Sequence, residues 1–82
     1  MNDNDYIGSR IRYVRTLRGM TQRDLADLIA RESGVVYSAA EIGSYERGSR
    51  RIPAEFVLRS MNALRVSSDT LFEIKTNRSD LD

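Results

Sequence analysis

Twelve of the thirteen positively charged residues in this chain are arginine, and histidine and cysteine are both missing. A guanidinium donates two parallel hydrogen bonds to a phosphate or to a base edge, so the side chains on offer are suited to holding an anion. A bias in genomic base composition also produces an arginine excess, and the sequence leaves that explanation open. The layout is uneven: Ser9 to Arg51 holds nine arginines against five acids (+4), and the two ends hold four basic residues against seven acids (−3). A net charge of +1 therefore conceals a basic interior.

The chemistry of turnover is poorly supplied. Without histidine the commonest general base is gone, and without cysteine so are the thiol nucleophile, the thiolate metal ligand and any disulfide. The acids are scattered: Asp24 with Asp27 and Asp80 with Asp82 fall on polar faces or in a tail, with no apolar pocket to perturb them. No glycine-rich phosphate loop occurs either. These absences argue against an enzyme, a metal site and a cofactor, and no small-molecule ligand is evident.

The elements that must position the arginines follow from length and punctuation. With 82 residues, 40% of them hydrophobic and 30% charged, the chain has room for one folded domain. Ile7, Ile11, Val14 and Leu17 recur at helical spacing, Asn4 or Asp5 can cap their helix, and Gly19 sits where a left-handed residue ends it, giving a helix from about Tyr6 to Arg18. Thr21 with Asp24 is a variant capping box for a second helix, whose buried stripe is Leu25, Leu28 and Ile29 and whose stop is Gly34. Ser38-Ala39-Ala40-Glu41 is a full capping box for a third, running to about Arg47 with Ile42 and Tyr45 inward. Pro53 suits the first turn of a fourth, with Phe56, Val57, Met61 and Leu64 as its apolar set, and Ser67 or Ser68 caps a short fifth carrying Leu71, Phe72 and Ile74. The expectation is an all-α domain of five helices over residues 6–75, with a flexible N-terminus at 1–5 and a polar tail at 76–82.

Asn2 to Asp5 stand where a secretory signal would need basic and then apolar residues, and no apolar run approaches a membrane span. A retained, cytoplasmic protein with no membrane partner is expected.

Three fragments in order, Gly19-x-Thr21-Gln22-x-x-Leu25-Ala26, then Ile42-x-x-Tyr45-Glu46-Arg47-Gly48, then Val66-Ser67-x-Asp69-x-Leu71-Phe72, resemble the phage lambda-repressor and Cro family of helix-turn-helix proteins, also called the xenobiotic-response-element type. The resemblance covers about Ile7 to Phe72 and implies a double-stranded DNA-binding transcriptional regulator, with helices two and three as the motif and helix three in the major groove. One departure is plain. Ile42 lies seventeen positions after Leu25, about six more than in the short-turn members, and the excess falls near Arg31 to Val36.

With Ile42 facing the core, helix geometry turns Ser38, Tyr45 and Glu46 inward and Ala40, Gly43, Ser44 and Arg47 outward. The resemblance places base reading at Ala39, Ala40, Gly43 and Ser44, with the helix start at Ser38 nearest the bases. None of these forms a strong bidentate base pairing, so direct readout reduces to thymine-methyl contacts, a serine hydroxyl and Glu41 as an acceptor from cytosine. Either the small side chains admit close approach and readout by shape and methyl packing, or DNA deformability and the extra loop carry the selectivity. A third reading is that Ala39 and Ala40 are helix formers on a solvent face and Gly43 packs closely on another helix.

Gln22, Arg23, Arg47, Arg50 and Arg51 are the candidate phosphate contacts. The resemblance further implies that Arg15 and Glu46 form a structural ion pair. A repressor acting as a homodimer on a two-fold operator, joined through Leu71, Phe72 and Ile74, is the leading functional expectation. The rival is a protein-interaction module of the same fold, such as an antitoxin or adaptor.

Overall fold

A computed structural model describes residues 3–71, and side chains from residue 6 onward. Four helices are complete: α1 (Asp3–Leu17), α2 (Gln22–Ser33), α3 (Ala39–Arg47) and α4 (Ala54–Leu64). A fifth, α5, begins at 68–71, and no strand occurs among the described residues.

Local signals set most of the boundaries. The Thr21 hydroxyl accepts from the Asp24 N–H while the Asp24 carboxylate accepts from the Thr21 N–H, and Ser38 and Glu41 repeat the exchange at α3. Each box satisfies two donors that a helix start would otherwise leave open. Gly34 and Gly48 end α2 and α3 in the left-handed region. Arg65 adopts the same conformation after α4, with φ of 61°, held by N–H bonds from Arg65 to Asn62 and from Val66 to Met61. Ser67 caps α5, its hydroxyl accepting from the Thr70 N–H.

Two expectations for α1 are corrected. The helix starts at Asp3, so Asn4 and Asp5 lie inside its first turn and do not cap it; four successive cap-competent residues make the start ambiguous by about a turn. Leu17 is 62% exposed. Next to it Arg18, itself exposed, donates from Nε to the Leu64 carbonyl at 2.7 Å and so closes the end of α4. A 3.6-residue repeat continues from Val14 more nearly to residue 18 than to 17.

The core is formed by Ile11 and Val14 of α1, Leu25, Ala26 and Ile29 of α2, Ile42 and Tyr45 of α3, Phe56, Ala63 and Leu64 of α4, and Leu71. Leu71 is fully buried, which removes it from the expected dimer surface; Phe72 and Ile74 lie outside the described residues. Tyr37, Tyr45 and Phe56 pack together with ring centroids 4.6–6.4 Å apart, tying the α2–α3 connection and α3 to α4.

The position of α3 depends on a close crossing with α1. At Gly8 a Cβ would overlap the Tyr45 carbonyl oxygen and lie 2.9 Å from the Glu46 carbonyl oxygen. Backbone meets backbone there, and nothing flexible can yield. On helix propensity alone Gly8→Ala would stabilise by about 1 kcal/mol. Overpacking should reverse the sign, with a net loss of about 1–3 kcal/mol in urea unfolding; a stabilised variant would show that the two helices are not held at this distance.

Hydrogen bonds from the Thr21 backbone N–H and then its hydroxyl hold the Asp24 carboxyl below the usual carboxylate range. A depressed carboxyl stabilises the fold above its unfolded pKa of about 3.9, and that contribution is lost as pH falls through the lower folded value. Stability of Asp24→Asn should therefore depend less steeply on pH below about 4 than that of the parent. Superimposable acid limbs in the two proteins would contradict the cap.

Candidate nucleic-acid interface

A buried ion pair lies behind the outer face of α3. Arg15 Nε and Nη2 donate to the two carboxylate oxygens of Glu46 at 2.7 and 2.9 Å, and Arg15 Nη1 donates to the Met20 carbonyl at 2.7 Å. The side chains are 10% and 1% exposed. Gln22 Nε2 adds a third bond to Glu46, at 3.2 Å. One carboxylate thus connects the end of α1, the start of α2 and the last turn of α3. Its hydrogen bond raises the Arg15 pKa above the ordinary value, against the lowering effect of burial.

This clamp sets what α3 presents outward. Ala40 and Arg47 are exposed, and Ala39, Glu41 and Ser44 are half-buried. Two placements differ from the helical-wheel expectation. Ser38 is exposed and not inward, because a capping residue stands outside the helix whose phase was used. Gly43 is buried and not open: a Cβ there would meet Arg47 Nη1 at 3.2 Å and the Gln22 amide at 3.3 Å. The wheel saw only α3, whereas the start of α2 lies over that position.

Arg47, Gln22 and Gly43 line a cavity of about 210 Å³ together with Arg12, Arg15 and Glu46. Glu46 is matched by Arg15, so among the described residues the cavity carries the charges of Arg12 and Arg47 without a facing acid. Arg12 was not singled out from the sequence. Its place three residues before Arg15, on the neighbouring strip of the same helix, was the available signal.

The other expected contacts are placed as follows. In the loop after α3, Arg50 and Arg51 are both exposed. Arg50 lies 4.0 Å from Glu41 Oε2, with its guanidinium 5.6 Å from the Tyr45 ring centroid. Glu41 is held at one oxygen, Oε1, which accepts from the Ser38 N–H at 3.1 Å, and the 4.0 Å approach of Arg50 to the other is loose. Arg23 lies 3.5 Å from Asp27 with both side chains well exposed, a pair too screened to hold it firmly. Arg47 Nη2 reaches the Ser44 hydroxyl only at 3.5 Å. No cluster of potential metal ligands occurs among the described residues.

Compared with known families, residues 7–73 match the profile described as a helix-turn-helix domain. No curated protein and no solved structure matches the chain.

Glu46→Ala leaves the Arg15 guanidinium buried without its anion, and the expected loss is on the order of 3 kcal/mol in chemical unfolding. Arg15→Met with Glu46→Leu should lose less than the sum of the single changes. Additive losses across the double-mutant cycle would mean that the two side chains do not interact.

Proposed function

The chain belongs to the helix-turn-helix domain family of the Cro and lambda-repressor type, and from that premise we propose that it is a sequence-specific regulator of transcription, a repressor that occupies duplex DNA with α3 in the major groove. The observation that carries the reading is the arrangement around α3. A surface of small side chains is flanked by the cations of the Arg12 and Arg47 cavity and followed directly by Arg50 and Arg51.

In this reading phosphates take Arg12, Arg47, Arg50 and Arg51, with Gln22 at the start of α2 and Arg23 as an outlying contact. They fix register and carry no sequence information themselves. Base edges meet Ser38, Ala39, Ala40 and Ser44, whose size admits the backbone close to thymine methyls and to the groove floor. Glu41 serves mainly to cap α3 and steady Arg50. Gly43 contributes by letting Gln22 and Arg47 close over the helix. No catalytic step is assigned to any residue.

A single helix covers few base pairs, so the regulator acts as a homodimer on a two-fold operator, with recognition helices about 34 Å apart. Leu71 is spent in the core, which leaves Phe72 and Ile74 of the expected dimer contact. No helix among the described residues is long and apolar enough to cross a membrane, and the proposed site of action is the cytoplasm, beside the DNA.

Selection from a random duplex pool tests the central claim, and an enriched two-fold site is expected. Absence of any salt-dependent duplex binding would favour the rival role of docking another protein. Arg50→Ala with Arg51→Ala should weaken specific and random duplexes alike, and should reduce the slope of log K against log salt by about 0.9 for each phosphate that is no longer neutralised. Unchanged affinity and slope would remove this loop from the interface. Sedimentation at saturating protein should show two chains per operator; one chain would defeat the dimer.

A further inference from the structure

Val36, in the connection between α2 and α3, is 80% exposed, the most exposed large apolar side chain among the described residues. The structure does not leave it loose. Val35 and Tyr37 on either side are half-buried. Upstream, the Gly34 N–H closes α2 on the Ala30 carbonyl and the Val35 N–H donates to Ser33 Oγ at 3.1 Å. Downstream, the Tyr37 ring lies edge-on to Phe56 at 5.0 Å, and its hydroxyl accepts from Arg59 Nη1 at 3.0 Å. Ser38 then caps α3. A valine is thus held in water at a fixed place, no more than about 11 Å along the chain from the start of α3.

Resting on the reading of α3 as the helix in the major groove, we propose that Val36 is a further specificity-determining residue, packing its methyl groups on the C5-methyl of a thymine at the edge of the site. The two chemistries fit. Val36 has no donor or acceptor, and the thymine methyl is the apolar group that the major groove exposes. The first turn of α3 offers only Ala39, Ala40 and Glu41, whose carboxylate caps the helix, so an apolar contact here adds discrimination that α3 itself lacks.

The test exchanges single thymines for uracil in a selected duplex, which removes one methyl at a time, and measures binding of the parent, Val36→Ala and the isosteric Val36→Thr. At one position uracil should weaken the parent about fourfold, about 0.8 kcal/mol for one buried methyl. Val36→Ala should bind the thymine duplex about fourfold more weakly and be indifferent to uracil at that position, with Val36→Thr between the two. Thermal unfolding should be unchanged, since the side chain touches little of the domain. Uracil and alanine effects that add at every thymine would overturn the proposal while leaving the DNA-binding reading intact. So would an equal loss on random duplexes, which marks a sugar-phosphate contact, or an altered sedimentation of the free protein with unaltered DNA affinity, which marks a second copy on Val36. A parent protein that binds no duplex would overturn the underlying reading as well.

Discussion

The orientation of α3 hangs on one buried carboxylate. Glu46 accepts from two nitrogens of Arg15 and from Gln22, and the remaining Arg15 nitrogen is anchored on the Met20 carbonyl. Taking both charges out of water offsets much of their attraction, so the pair is a weak source of net stability. Its effect is geometric. A planar guanidinium meeting a planar carboxylate at two points tolerates little rotation, and three helices converge on it. An apolar replacement of similar volume could fill the space without fixing the angle at which α3 leaves the domain.

The clamp works only because the backbones come close. Gly8 lets α1 approach the Tyr45 and Glu46 carbonyls, which brings Arg15, two turns further along α1, within reach of Glu46. Gly43 acts in the complementary direction. By lacking a side chain, it lets the Gln22 amide and the Arg47 guanidinium settle over α3. One glycine sets the depth at which α3 is seated, and the other sets which polar groups surround its outer face.

What was legible in the sequence was mostly what is local. The capping boxes at Thr21 and Ser38 and the stops at Gly34 and Gly48 involve residues a few positions apart, and the helix limits they imply agree with the structure. Leu17 marks the first limit of that approach, since a repeat of 3 or 4 cannot say whether the stripe continues past Val14 until the packing partner is known. Gly43 marks the second: an outward position on an isolated helix was covered by another helix. The Arg15–Glu46 pairing, 31 residues apart, came from resemblance and not from spacing, and Arg12 needed the cavity to become visible. The added length before α3 was countable, but its course depended on where Tyr37 would find Phe56 and Arg59.

The charge pattern acquires its meaning at this level. Of the nine arginines between Ser9 and Arg51, Arg15 is consumed in the core and Arg18 at the end of α4. Arg10 lies over the Tyr13 ring, 4.8 Å from its centroid. Nearest α3 lie Arg12, Arg47 and Arg51, with Arg50 beside Glu41 and the Tyr45 ring. A surplus that genomic bias alone could supply is therefore sorted by the fold into structural members and a cationic border around a surface of small side chains. Such a border attracts any duplex and discriminates among none. In the proposed reading, discrimination falls to groups that make van der Waals contact: Ala39, Ala40, Ser44 and the approach distance that the clamp enforces. Methyl and shape contacts decay over a fraction of an ångström, so this mode of reading demands a rigidly seated helix, and the buried ion pair supplies that rigidity where longer side chains could have adapted.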